Sequence, residues 1–191
     1  MDDGAERVER AFARTPRSGF LPREQRHRAA EDRPVEIGHD QTNSQPSTVA
    51  AMLRLLDVRP GHRVLDVGSG SGWTTALLAD LVGPQGQVIG LERVAALLTS
   101  AHAALAALDR PWAQVRAADP DVLGAPGQAP FDRILVSAEA TVLPEALVDQ
   151  LTDQGVLVVP VAGVMHQVLR RGAARRVTTH GRYRFVPLIE P

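Results

Sequence analysis

Apolar residues in this chain fall into two repeating patterns. Short apolar runs at 64–67, 87–91, 113–117, 134–136 and 156–159 have the length of strands. Between them apolar positions recur every three or four residues, as on one face of a helix. They are Val49, Met52, Leu53 and Leu56 after Pro46, then Leu77, Leu78 and Leu81 after Trp73, then Leu97, Leu98, Ala101, Leu105 and Leu108 across 95–108. A further helix is predicted over 144–151. The runs at 134–136 and 156–159 lack polar alternation, as strands do when helices cover both faces of a parallel sheet. Strand and helix therefore alternate with short connections, which predicts an α/β fold with a doubly wound, mostly parallel sheet and helices on both faces. Ligands of such a sheet bind at the carboxyl ends of its strands.

The two ends of the chain extend this plan. A helix is expected over 6–13, carrying Val8, Phe12 and Ala13, and closing at Thr15-Pro16 because the residue before proline avoids helical torsions. Residues 18–40 hold Pro22, Pro34, Gly38 and many charges, and are expected to form a long irregular connection serving as a lid or substrate wall. Stretches at 167–169, 175–179 and 183–186 are expected as antiparallel strands at the C-terminal sheet edge. One domain spanning 1–191 is expected, with 1–45 as an N-terminal helix and substrate-side segment.

One stretch interrupts the pattern. In Arg63-Val-Leu-Asp66-Val-Gly68-Ser69-Gly70-Ser71-Gly72-Trp73-Thr74, a strand breaks into three alternating glycines before a helix begins. Such a loop lets backbone approach a ligand, and the helix N-terminus behind it offers unpaired N–H groups. A dinucleotide loop needs Gly-x-Gly-x-x-Gly; here the third of those positions is Trp73. Three carboxylates end consecutive strands: Asp66 beside the loop, placed for an ammonium group or the loop amides, Glu92 for a ribose diol, and Asp119 for an adenine amino group. Arg93 is counted with the same site. Amino acid, ribose and adenine without phosphates describe S-adenosylmethionine.

Composition removes several other chemistries. The absence of cysteine excludes disulfides, thiolate metal sites and cysteine nucleophiles, and the absence of lysine excludes a phosphate-loop lysine, a Schiff base and a lysine base. The six histidines show no zinc-ligand spacing, so no metal is expected. No apolar run approaches the ~20 residues of a membrane span, and the acidic N-terminus lacks the order of a secretory signal. A cytoplasmic monomer with no membrane or nucleic-acid partner is expected. A net charge of −1 agrees, and the arginines at 170, 171, 175, 176, 182 and 184 read as a solvated edge hairpin.

The chain resembles the protein-L-isoaspartate O-methyltransferases from about Phe20 to Leu188. The resemblance rests on Phe20-Leu-Pro22, Glu31-Asp-Arg-Pro34, Ile37-Gly38, Gln41-Thr42-x-Ser44-x-Pro46, Leu65 through Gly72, Phe131-Asp-Arg-Ile134, Leu143 to Leu147, Val158-Val-Pro-Val161 and Phe185-Val-Pro-Leu188, all in order. It implies a Rossmann-like methyltransferase fold and methyl transfer from S-adenosylmethionine to the α-carboxylate of L-isoaspartyl residues in proteins or peptides. The resulting ester returns to aspartate through a succinimide. It also implies that Ser44 and Thr42 lie beside the transferring methyl and orient the acceptor, with the glycine loop (Gly68, Ser69, Gly70, Ser71, Gly72) holding the donor. Taken alone, Ser44 and Thr42 before Pro46 suit helix capping better than a catalytic role. Departures from the family pattern are Asp40 where it usually has glycine, Asn43 where it has isoleucine, Pro120 after Asp119, and Glu139, whose charge would repel an acidic acceptor if it faced the site. They leave open a different peptide or small-molecule acceptor, or a silent homologue that only binds the cofactor.

Overall fold

A computed structural model describes residues 4–190. Its centre is a seven-stranded sheet built from β3 (Arg63–Val67), β4 (Gln87–Glu92), β5 (Ala113–Ala117), β6 (Phe131–Val136), β7 (Leu151–Val161), β8 (Val164–Arg171) and β9 (Ala174–Arg182), in the order β5-β4-β3-β6-β7-β8-β9. The first five of that order are parallel, and β8 and β9 close the edge as antiparallel strands. A separate two-stranded hairpin joins β1 (Val35–Gly38) and β2 (Gln41–Asn43). The chain begins the sheet at β3, moves outward to β5, then returns to β6 on the other side of β3. That reversal opens a crevice at the strands' carboxyl ends.

Strand periodicity sorts the core into two halves. Val64, Val88, Leu135, Val156 and Val158 face helices α1 (Gly4–Arg14), α2 (Pro46–Leu56) and α3 (Trp73–Val82), with Ala101 and Leu105 of α4 (Ala95–Ala106) on the same side. Leu65, Val67, Ile89, Leu91, Ile134, Val136, Leu157 and Val159 face the other way, onto Leu147 and Val148 of the single-turn α5 (Glu145–Val148) and onto Leu123, Ala125 and Leu188. The second face is thus covered largely by the 118–130 connection and the C-terminal segment. Among the described residues no helix is long and apolar enough to cross a membrane.

Three sequence expectations change. The helix predicted over 144–151 is one turn, because Leu151 already pairs with Phe131 as β7 begins and buried Gln150 turns its amide to the carbonyls of Leu123 and Ala146. The 183–186 stretch is not a strand of the edge; β9 ends at Arg182, and the chain then crosses to Glu139, whose N–H and carbonyl bond Val186 and Leu188. Residues 18–40 are more ordered than expected, forming two 3-10 turns (Arg17–Phe20 and Arg23–Arg28) and β1.

Candidate active site

The glycine loop leaves β3 with left-handed torsions at Gly68, Gly70 and Gly72 (φ 77°, 55° and 86°), which a side chain would strain. Its first two N–H groups, of Gly68 and Ser69, both donate to the Leu91 carbonyl at 2.9 and 3.0 Å, tying the loop to the end of β4. Gly70 N–H donates to Glu92 Oε2 at 2.7 Å, and Val94 N–H donates to Glu92 Oε1 at 2.8 Å. Glu92 is thereby fixed between two loops at 8% exposure. Each of its oxygens takes one backbone donor and retains acceptor capacity.

Gly68, Gly70, Glu92 and Arg93 line a cavity at the sheet reversal, walled by Val67, Leu91, Val94, Ala118, Leu123 and the C-terminal residues Val186 to Ile189. A Cβ on Gly68 would stand 3.7 Å from the Ala138 Cβ, so the loop lies close against the segment after β6. Gln150 holds the opposite wall, accepting from Ala125 N–H at 2.8 Å and donating to the Leu123 carbonyl at 2.9 Å. Apolar walls, a carboxylate with spare lone pairs and a close-approach backbone loop fit S-adenosylmethionine.

Five of the residues expected here, Asp66, Ser69, Ser71, Gly72 and Asp119, line no part of that cavity, Ser69 and Ser71 lining a smaller space beside it. Asp66 alternates with Val67 along β3, so it points to the opposite face, where its Oδ2 accepts from Thr74 and Thr75 hydroxyls at 2.7 Å each. It is fully buried, its Oδ1 has no partner among the described residues, and burial pushes its pKa up to about 6. Gly72 heads α3, and a Cβ there would press on Ala101 at 3.1 Å, so packing accounts for it. Asp119 is exposed and accepts from the N–H of Asp121 at 2.9 Å, closing its own turn. Pro120 lies equally outside the wall, its carbonyl accepting from Arg93 Nη2.

A small adjoining cavity is lined by Ser69, Ser71, Asn43, Ser44 and Trp73, and a larger groove beyond it by Ser44, Gln45, Ser47 and the segment Arg182 to Pro187. Thr42 and Ser137 line all three spaces, and Ser44 lines the second and third. None of these three hydroxyls has a hydrogen-bond partner among the described residues. Capping does not occupy them: the residue preceding α2 is Gln45, without a side-chain cap, and it is Asp32 whose Oδ1 accepts from Ser47 N–H at 2.9 Å. That backbone bond holds the Asp32 carboxyl below its ordinary pKa.

One residue that the sequence pattern did not single out holds this arrangement together. Arg17, 5% exposed, donates through Nε to Asn43 Oδ1 at 2.7 Å, through Nη1 to the Glu31 carbonyl, and through Nη2 to the carbonyls of Arg33, Asn43 and Ser44 at 2.8 to 2.9 Å. Its guanidinium also lies 5.4 Å from the Trp73 ring centre. Asn43 in turn donates to Ser71 Oγ at 3.2 Å, connecting β2 to the glycine loop. Asn43 is therefore a buried link. Asp40 sits with His39 in the left-handed hairpin turn (φ 57° and 56°), exposed and outside all three linings, and Glu139 also lines none of them.

Comparison with known proteins agrees with this geometry. A family model described as protein-L-isoaspartate(D-aspartate) O-methyltransferase matches residues 3–191. The protein-L-isoaspartate O-methyltransferase of Methanopyrus kandleri is 44% identical over 191 residues, covering 96% of this chain and 83% of its own length. A solved structure from Plasmodium falciparum with the same enzyme description, in complex with S-adenosyl-L-homocysteine, superposes with a TM-score of 0.80 at 28% identity, over 98% of this chain and 91% of the other. A second solved structure so described gives a TM-score of 0.84 at 24% identity over 95% of this chain; the chain spans 61% of its length, and at that identity the likeness is one of fold. The chain belongs to the protein-L-isoaspartate(D-aspartate) O-methyltransferase family.

Proposed function

We propose that this protein methylates the α-carboxylate of L-isoaspartyl residues in proteins or peptides, forming an ester that returns to aspartate through a succinimide. Support comes from one relationship above the others: the cofactor cavity and the open groove meet at Thr42 and Ser137, with Ser44 beside them. S-adenosylmethionine, when bound, supplies a methyl group activated by a positive sulfonium.

The remaining work belongs to this chain's residues and is positional. A carboxylate acceptor has a reference pKa near 4, so it reaches the site ionised and no side chain has to remove a proton. Thr42 and Ser44 donate their free hydroxyl hydrogens to the acceptor carboxylate and hold one of its oxygens facing the cofactor cavity. Ser137 faces the same junction from the β6 side. Glu92 accepts from the ribose hydroxyls, and Gly68 and Gly70 let backbone come close to the amino-acid portion. Ser69 and Ser71 stand behind the junction, Ser71 engaged with Asn43. Ordering two reactants in line is worth several orders of magnitude in rate without acid–base or covalent steps.

The test is transfer of a labelled methyl group to an isoaspartyl peptide and to its aspartyl twin. Base-labile label on the isoaspartyl peptide alone supports the proposal; equal labelling of both, or of neither, contradicts it.

A further inference from the structure

The groove beside Ser44 carries two arginines whose guanidinium groups have no partner among the described residues. Beyond β9 the chain runs on through Tyr183, Arg184 and Phe185. Tyr183 and Phe185 pack against the buried cluster under α2, so the two-residue alternation of extended chain turns Arg182 and Arg184 outward. Both are exposed and line the same groove as Thr42, Ser44 and Ser137. Neither guanidinium has a hydrogen bond or ion pair among the described residues. Of the other arginines on this edge, Arg170 donates to the carbonyls of Asp149, Leu151 and Gly172, and Arg175 pairs with Glu145. Arg171 and Arg176 also have no partner among the described residues but lie outside the groove.

The charge of the groove is one-sided. No Asp or Glu is among its lining residues. Asp32, which holds two of them, has both oxygens engaged, one by Ser47 N–H and one by Gln45 Nε2. The ligand that reaches Ser44 through this groove therefore passes two free guanidinium groups and no lining carboxylate. A guanidinium presents paired N–H donors that match a carboxylate.

We propose that Arg182 and Arg184 form a subsite for acidic side chains flanking the methyl acceptor, so that the enzyme prefers isoaspartyl peptides with glutamate or aspartate neighbours. The inference rests on the isoaspartyl reading of the preceding subsection and names a substrate class within it. The arginines stand apart from the reacting atoms, so they act on KM and leave kcat unchanged. Exposed charge pairs are individually weak and screened by salt, so the preference is several-fold and fades as ionic strength rises.

Steady-state methylation of three isoaspartyl peptides, identical except for Glu, Gln or Lys at the flanking positions, tests it. At low salt the Glu peptide is expected to show a KM about three- to tenfold below that of the Gln peptide, with the Lys peptide above both and kcat equal. The double variant Arg182→Gln/Arg184→Gln should erase the differences while keeping S-adenosylhomocysteine affinity. Equal KM values for the three peptides on the unaltered protein, or a preference that persists in the double variant, would overturn the inference. The three KM values on the unaltered protein decide between charge preference and none even if the variant does not fold. Methylation of no peptide would overturn the isoaspartyl reading itself, and this inference with it; methylation without charge preference would overturn only the subsite.

Discussion

Arg17 and Asn43 are joined twice across 26 residues of chain, by Arg17 Nε to Asn43 Oδ1 at 2.7 Å and by Arg17 Nη2 to the Asn43 carbonyl at 2.8 Å. The pair locks the strand bearing Thr42 against the glycine loop, and the same Nη2 holds the Ser44 carbonyl at 2.9 Å. A lysine ammonium cannot reproduce the planar fork, so Arg17→Lys leaves buried carbonyls without donors. We expect Arg17→Lys to lower unfolding stability by about 2–4 kcal/mol in urea titration and to reduce kcat. Asn43→Leu removes the acceptor and the donor to Ser71, with an expected loss of about 1–3 kcal/mol. Changes under about 0.5 kcal/mol in both variants would show that the network does not hold the site together.

Glu92 joins two observed backbone bonds to a proposed cofactor contact. Its oxygens accept from Gly70 and Val94 N–H groups, and the residue lines the cavity proposed for the cofactor. In Glu92→Gln an amide NH2 must face one of those donors, and the charge that strengthens bonds to ribose hydroxyls is lost. Calorimetric titration with S-adenosylhomocysteine is expected to give a dissociation constant raised about ten- to a hundredfold. An unchanged constant would remove Glu92 from the cofactor site.

Asp66 makes a pH-dependent prediction. Its carboxyl is raised from 3.8 to about 6 in the folded chain, mainly by burial, so the native state holds the proton more tightly than the unfolded state does. Stability from this group is complete below about pH 4 and falls as pH rises towards 6, by about 3 kcal/mol in all. Above that window the full cost remains. Asp66→Asn stays neutral and still offers an oxygen to the Thr74 and Thr75 hydroxyls. The stability of the variant relative to the unaltered protein should therefore increase between pH 4 and pH 6 in denaturant titrations. A difference that is flat across that window would contradict the assignment.

The behaviour of Asp66 also shows where reading the sequence stops. That Gly68, Gly70 and Glu92 share one cavity was legible because a loop and the end of the next strand are near neighbours in any doubly wound sheet. Asp66 and Asp119 lie near strand ends as well, yet Asp66, one residue before the end of β3, turns beneath α3 by the two-residue alternation, and Asp119, two residues past β5, closes its own turn. Local sequence does not state which way a strand's last carboxylate points. Ser137 passed without a role because the junction it lines is assembled from residues near 42, 68 and 187, each remote from it in the chain. The order within 18–40 was hidden for a related reason. It comes from the Arg17 guanidinium, which satisfies the Glu31 and Arg33 carbonyls, together with the β1–β2 pairing and the scattered buried residues Leu21, Val35 and Ile37, none of which leaves a long periodic signal. The strands and most helices were legible because burial on one face of a helix imposes a period and burial on both faces of a strand gives a short unbroken apolar run.

Ser44→Ala separates chemistry from structure most directly. The Ser44 hydroxyl lines both the small cavity and the open groove, and has no partner among the described residues, so its loss should leave folding stability within about 0.5 kcal/mol. The decisive measurement is kcat for an isoaspartyl peptide beside the dissociation constant for S-adenosylhomocysteine, on the variant and the unaltered protein. We expect kcat to fall about ten- to a hundredfold with cofactor affinity unchanged. Turnover equal to that of the unaltered protein would contradict the placement of the acceptor at the Thr42–Ser44–Ser137 junction.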